Sequence, residues 1–277
     1  VARIEDRDGR SAAVTRSGRV VPFDLGILAV GVRPNVALAQ QAGLELGSTG
    51  AIRVDAEQRT SRPDIYAAGD NCEMPHAVLG EPVNIPLAGP ANKAGRVAGA
   101  NAALDVLAAG PDDPRRLTAP SVLGTAVCRV GDQVAGVTGL TETQAGRNGL
   151  SFRALYIPGT NHAGYYPGAE KLCLKILYEP DTGRLLGAQG VGADGIDKRI
   201  DVFATALAAG MTVEDLENLD LSYAPPFGAA KDAVILAGFA AANERRGLMP
   251  TITPAELLDE LSGETPPLVV DVRTPRE

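Results

Sequence analysis

The sequence has 277 residues, of which 45% are hydrophobic, 22% charged and 4% aromatic. Such a composition builds a globular core from small aliphatic side chains and excludes overall disorder. Its 26 basic and 34 acidic residues leave a net charge of -8, which argues against a general nucleic-acid or anionic-membrane binder.

The chain opens without Met in an extended pattern, Val1 to Ile4. Val20 to Val30 (VVPFDLGILAV) predicts a strand, closed by Gly31-Val32-Arg33-Pro34-Asn35, where a Gly and an X-Pro end regular structure. Val36 to Leu46 has helical spacing, Ala51 to Asp55 alternates as a strand, and Asp64 to Ala68 predicts a short buried strand running into Gly69-Asp70. Leu87 to Leu107 predicts a long Ala-rich helix, with Gly89-Pro90 in its first turn. Gly110 to Pro114 reads as a linker. Beyond it, Thr125 to Val130, Gln133 to Thr138, Phe152 to Ile157, Lys171 to Leu177 and Leu185 to Val191 predict an antiparallel sheet. Glu179 to Arg184 has the composition of a hairpin connection. Helices are expected over Ile196 to Ala209, Thr212 to Leu219 and Ala229 to Arg246, giving a separate α+β unit. Thr253, with Glu256 three residues on, makes a capping box that starts a further helix before a strand at Leu268. Both ends read as cut, so a piece of a longer polypeptide is expected.

No apolar run reaches the ~18 residues of a membrane span and no signal peptide is visible, so the expected compartment is the cytoplasm, with no membrane partner. Cys72, Cys128 and Cys173 are scattered, with only His76 and His162 to join them, so no metal site is expected. Each thiol is expected as a small buried hydrophobe, and both histidines as loop residues. Gly190-Val191-Gly192-Ala193-Asp194-Gly195 matches GxGxxG between a strand and a helix. Its strand belongs to the antiparallel set, however, and a glycine-rich turn is the expectation. Lys198 and Arg199 open a helix and are expected to pair with acids such as Asp197 or Asp201.

The stretch Thr60-Ser61-Arg62-Pro63-Asp64-Ile65-Tyr66-Ala67-Ala68-Gly69-Asp70 puts small residues and one carboxylate at the end of a buried strand. That is where α/β folds bind cofactors, and a carboxylate there can accept from a sugar or ribityl hydroxyl. Asn84 to Arg96 follows as a helix start whose unpaired N–H groups favour negative charge. Together the two segments resemble the flavin-contacting motifs of the FAD-dependent pyridine-nucleotide disulfide oxidoreductases.

Within that family the sequence is similar to the coenzyme A disulfide reductase branch, including its rhodanese fusions. Four segments carry the likeness: Val30 to Asn35, Asn161 to Gly168 (NHAGYYPG), Asp197 to Val202 (DKRIDV) and Tyr223 to Phe227 (YAPPF). The resemblance implies a mixed α/β and α+β chain: residues 1–36 end an NAD(P)H-binding domain and 37–114 complete an FAD-binding Rossmann-like domain. Residues 115–247 would form the α+β dimerisation domain of a homodimer, and 249–277, with Val269 to Pro275, would start a rhodanese-like domain. It implies FAD contacts at Ala68, Gly69, Asp70, Pro86, Leu87 and Ala88. It makes Tyr165 and Tyr223 the pair that reaches a substrate sulfur across the dimer, where a phenol can protonate a leaving thiol; Tyr166 is the fallback. Lys231 and Asn92 fall at coenzyme A contact positions, although relatives of the type branch carry His where this chain has Asn92. The redox cysteine belongs to the amino-terminal FAD half, so Cys72 is not assigned that role. The implied activity is transfer of reducing equivalents from NAD(P)H to a disulfide or persulfide of coenzyme A, with the isolated chain inactive. An NADH oxidase or peroxidase, and a non-catalytic dimerisation module, are the alternative readings.

Overall fold

A computed structural model describes residues 1–7 and 9–272. It divides into two units, Val1–Asn35 and the chain from Val36 onward. In the first, β1 (Arg3–Arg7), β2 (Arg10–Val14) and β3 (Val20–Pro22) form an antiparallel meander. Ala12 and Val14 alternate to the buried face of β2, the period-2 pattern of a half-buried strand. The strand expected over Val20 to Val30 is therefore only three residues long. The Phe23 amide still reaches the Ser11 carbonyl of β2, but β2 begins at Arg10 and offers no partner beyond it, so Leu25, Ile27, Leu28 and Val30 lie exposed and outside any strand.

The second unit begins with α1 (Ala37–Gln41), β4 (Met74–Pro75), β5 (Pro82–Val83) and α2 (Ala88–Val106). The strands expected at Ala51 to Asp55 and Asp64 to Ala68 are single bridges instead, Ile52 with Leu46 and Cys72, and Tyr66 with Arg59. A strand needs a ladder partner along its length, and the described chain brings one residue at a time alongside these runs. The long helix matches its expectation within a residue at either end. Ala94, Val97, Ala98, Asn101 and Leu104 line its buried side, the spacing of one helical face.

Two polar anchors fix α2. Buried Asn101 donates to the carbonyls of Glu57 and Leu117 and accepts from the Leu117 amide. Asp105 accepts from Arg59 at 2.8 Å, Arg116 at 2.6 Å and the Tyr66 hydroxyl at 2.9 Å. Arg59 first, then Arg116, hold the Asp105 carboxyl below its ordinary value of 3.8. A carboxylate depressed in the folded state stabilises above its unfolded pKa and loses that contribution as pH falls through the folded one. Asp105→Asn is expected to lower the melting temperature at neutral pH and to flatten the loss of stability on acidification below about 3.8. An acid limb identical to that of the parent would remove Asp105 from this account.

The larger sheet holds β6 (Ala126–Val130), β7 (Gln133–Gly139), β8 (Arg153–Thr160), β9 (Lys171–Tyr178) and β10 (Leu185–Gly192). All neighbours are antiparallel in the order β6-β7-β10-β9-β8. Among the described residues four helices follow β10: α4 (Ile196–Ala208), α5 (Val213–Glu217), α6 (Ala233–Arg245) and α7 (Pro254–Leu261), while α3 (Glu142–Arg147) links β7 to β8. Helices α4 and α6 cover one face of the sheet, burying Leu172, Leu174, Ile176, Ile200, Phe203, Val234 and Ala237. The five strands and the hairpin at Glu179 to Arg184 stand as expected. Helix α3 was not anticipated; Thr141 and Gln144 cap it reciprocally, a capping box whose following run is too polar to show an apolar period.

Gly190 and Gly192 lie within β10, and Gly195, at φ 73, is the N-cap of α4. The expected glycine-rich turn is thus mostly strand: a Cβ on Gly190 would come within 2.9 Å of Leu174 on β9 and 3.3 Å of Ile196 on α4, so this glycine lets β10 and α4 pack closely and no phosphate loop forms. Helix α6 starts at Ala233, later than expected, because Asp232 caps it by accepting from the Val234 amide. The capping box at Thr253 and Glu256 forms as anticipated. The strand expected from Leu268 is absent at 268–272, where Leu268, Val269, Val270 and Val272 are exposed with no strand beside them; the rest of that segment, to Pro275, lies outside the described residues. No helix among the described residues is long and apolar enough to cross a membrane.

Candidate functional site

Two loops meet at one end of the five-stranded sheet. The first joins β8 to β9, where Asn161 exchanges backbone and side-chain hydrogen bonds with Glu170 and its Oδ1 also accepts from the His162 amide. Asn161 further donates to Asp194 at 2.8 Å. These contacts close the loop at its base and carry Tyr165, 77% exposed, out at its tip. The second loop runs from α5 to α6 through Pro225-Pro226, where the amides of Phe227 and Gly228 both return to the Ala224 carbonyl. It presents Tyr223, 48% exposed. The structure thereby brings together two residues far apart in sequence: the Tyr165 and Tyr223 hydroxyls are 3.4 Å apart. That contact holds the Tyr165 phenol above its ordinary value, because Tyr223 hydrogen-bonds its neutral form. Tyr166 instead stacks edge-on against buried His162. Lys231 is exposed immediately before Asp232.

The Asp70 segment forms a second locus. Gly69 takes φ 93 and sits against Ala91 at the start of α2, 4.0 Å from a would-be Cβ; only glycine takes that backbone freely. Asn84 donates to the carbonyls of Asp70 and Cys72, fixing the turn, and the Asp70 carboxylate points outward, exposed. At the helix start, N-cap Leu87 supplies no side-chain cap and no acid stands in the first turn, which leaves backbone N–H groups free to meet an acceptor. Ala88, Gly89 and Asn92 are exposed there, and Pro86 and Leu87 partly so. Pro86 and Leu87, with Asn84, border a cavity of about 480 Å³ that also takes in His76 and, from β7, Val137 and Gly139.

The strand register separates the two loci. Gly139 pairs with Gly187, and Val134 with Gly192, which in turn faces Leu172 beside Gly159. The tyrosine loops therefore leave from the end of the sheet opposite the cavity, about 17 Å along β7 and about 14 Å across three strands, from ordinary strand dimensions.

The remaining residues read from sequence divide. Cys72 is buried and burial pushes its thiol up to about 11, so it is an inert core residue. Cys128, expected buried, is exposed on edge strand β6; a single outer strand has no neighbour to cover it. His76 is buried and its Nδ1 accepts from the Val78 amide at 3.1 Å, with burial favouring the neutral ring. Lys198 and Arg199 do not pair with Asp197 or Asp201. Arg199 is 1% exposed and forms a bidentate bond to Asp232, and Lys198 donates to the Phe227 carbonyl. The site residues that sequence reading missed are thus Asp232 and Asn161, whose signals were a cap residue before an apolar helix and an Asn opening a loop.

Two family models match the chain. One is described as pyridine nucleotide-disulphide oxidoreductase and covers residues 1–95; the other is that family's dimerisation domain and covers residues 125–234. The NAD(P)H sulfur oxidoreductase (CoA-dependent) of Pyrococcus abyssi is 42% identical over 85% of this chain and 50% of its own length. Among solved structures, an NAD-dependent persulfide reductase from A. fulgidus superposes with a TM-score of 0.82 at 41% identity, over 91% of this chain and 45% of that one. Reduced Bacillus anthracis CoADR-RHD gives 0.81 at 40% identity, over 91% and 43%. The chain spans about half the length of the curated relatives it matches.

Proposed function

This chain belongs to the pyridine nucleotide-disulphide oxidoreductase family, and from that premise we infer that it serves a homodimeric, FAD-dependent enzyme that uses NAD(P)H to reduce a disulfide or persulfide of coenzyme A. The observation that carries this reading is the meeting of Tyr165 and Tyr223 at 3.4 Å: two exposed phenols converge where no core needs them. Their distance from the Asp70 locus within one chain supports a dimer, because the pair can serve a flavin held there only from a second copy. The match to a dimerisation domain agrees with that arrangement.

The residues present fit a flavin. Ala68 and Gly69 admit close approach, Asp70 offers an exposed acceptor to ribityl hydroxyls, and the uncapped helix start after Pro86 and Leu87, at Ala88, offers N–H groups to a negatively charged ring. When bound, FAD relays reducing equivalents from NAD(P)H toward sulfur. The chain's own residues do the rest. As a sulfur–sulfur bond breaks, Tyr165 or Tyr223 gives its hydroxyl proton to the departing thiolate, and the partner phenol stabilises the phenolate left behind. Lys231 and Asn92 are the side chains assigned to coenzyme A, Lys231 as a point charge for phosphate. None of Cys72, Cys128 and Cys173 is assigned the redox thiol, so the 277 residues alone are read as inactive. Residues 249–277 are read as the start of a rhodanese-like module, 37–114 and 115–247 as parts of the FAD and dimerisation domains, and 1–36 as the end of the NAD(P)H domain. Three unpaired thiols suit the cytoplasm.

The test is NAD(P)H consumption by the full-length gene product with coenzyme A disulfide, coenzyme A persulfide and oxygen at equal concentration. A preference for the sulfur substrates supports the reading; oxygen as the preferred acceptor moves it to the oxidase alternative. In the same protein Asp70→Ala is expected to weaken flavin retention about 10- to 100-fold, the worth of a charge-assisted hydrogen bond. Flavin absorbance retained through dialysis as in the parent would remove Asp70 from the site.

A further inference from the structure

We propose that Lys198 and Arg199, with Asp232, are positioning residues that set the separation of the Tyr165 and Tyr223 hydroxyls. The proposal rests on the reading of those tyrosines as proton donors. Arg199 directs one edge of its guanidinium at the two loops: Nη2 donates to the carbonyl of Asn161 at 2.8 Å and of Thr160 at 3.3 Å, where the Tyr165 loop begins. Its Nε and Nη2 also reach the two oxygens of Asp232 at 3.1 and 2.7 Å, where the Tyr223 loop ends, and Nη1 holds the Gly195 carbonyl at 2.7 Å. Lys198 then donates to the Phe227 carbonyl at 3.2 Å. Asn161 stands four residues before Tyr165, and Phe227 four residues after Tyr223, so each tyrosine has an anchored backbone about one turn of chain away.

Two features separate this arrangement from plain stabilisation. A buried ion pair contributes little net stability compared with apolar packing, yet here its donors go to backbone carbonyls at Thr160 and Asn161, where the Tyr165 loop leaves β8, and at Gly195, where α4 begins. Lys198 contributes nothing to the buried cluster, and its link to a loop carbonyl costs side-chain entropy. Gly195 is shaped to the device: a Cβ there would lie 2.4 Å from Arg199 Nη1.

The experiment uses the full-length protein. Lys198→Met keeps the aliphatic stem and the buried pair but removes the donor to Phe227. We expect kcat for sulfur reduction to fall about tenfold, with KM for NAD(P)H and melting temperature unchanged, and Lys198→Arg to recover kcat to within about twofold. The hydroxyl contact is read independently by ultraviolet titration of the tyrosines, in which Lys198→Met moves the Tyr165 step downward and has no effect in a Tyr165→Phe background. Arg199→Lys, which keeps the charge facing Asp232 but loses the fork onto Thr160 and Asn161, is expected to act in the same sense and more strongly. Unchanged kcat and unchanged titration in both variants would overturn the proposal. If Tyr223→Phe leaves turnover intact while Lys198→Met still moves the titration, the proton-donor reading fails and the positioning stands. A collapse in Tyr223→Phe beside a silent Lys198→Met and Arg199→Lys means the reverse.

Discussion

Replacing Asp232 with alanine is expected to cost the fold about 3–5 kcal/mol, the usual penalty for removing one partner of a buried ion pair. Arg199 and Asp232 are 1% and 3% exposed, so the guanidinium left behind has no water to replace the two bonds it loses. The same substitution removes the side chain that caps α6, which adds about 1 kcal/mol. Its partner carbonyls at Gly195 and Asn161 remain, and they keep the loss toward the lower end. Chemical denaturation of the variant and the parent measures the difference directly; a change below about 1 kcal/mol contradicts the burial argument. The double substitution Arg199→Met with Asp232→Leu is expected to recover part of the stability, because an apolar pair leaves no charge unpaired while the cap of α6 and the donors to Gly195 and Asn161 stay lost. It should not recover the tyrosine geometry, and this divides what the pair does for the fold from what it does for the loops.

Phenylalanine at position 223 is expected to lower turnover on coenzyme A disulfide or persulfide by about a hundredfold or more, the range for losing a positioned general acid. Tyr223 is half exposed, and among the described residues its hydroxyl bonds Tyr165, so melting temperature and flavin content should not change. Tyr165→Phe is expected to act similarly, and the double variant to be no more than about threefold below the worse single, as for residues that act as one unit. Single effects that multiply in the double would mean that the two phenols do separate jobs. Reduction of oxygen, which releases no thiolate, should be untouched in all three variants; a parallel loss of oxygen and sulfur activity would place the tyrosines in flavin access instead.

Much of the sheet was legible because its strands alternate and are bounded by turn residues: β9 shows Leu172, Leu174 and Ile176 on one face with Cys173 and Lys175 on the other. Capping boxes worked in the same way at Thr253, where an apolar helix follows. The failures have a common cause. Val20 to Val30, Ala51 to Asp55 and Leu268 to Val272 carry strand composition, but strand structure depends on an adjacent edge, and apolarity is silent about whether one is there.

What the residues determined alone was therefore local: the periodicity of the elements and the start of the long helix near Ala88. Family likeness, carried by short contiguous segments such as NHAGYYPG and YAPPF, was equally a property of the linear chain. Tertiary structure decided everything that joins distant segments. It put the Tyr165 and Tyr223 hydroxyls side by side, gave Arg199 to Asp232 instead of to the acids beside it, and set the tyrosine loops at the far end of the sheet from the cavity beside Pro86 and Leu87. The reason is physical. Spacing along a chain constrains only neighbours within a turn or a pleat, whereas the pairing of two loops depends on strand register and on which side chains the core excludes from water.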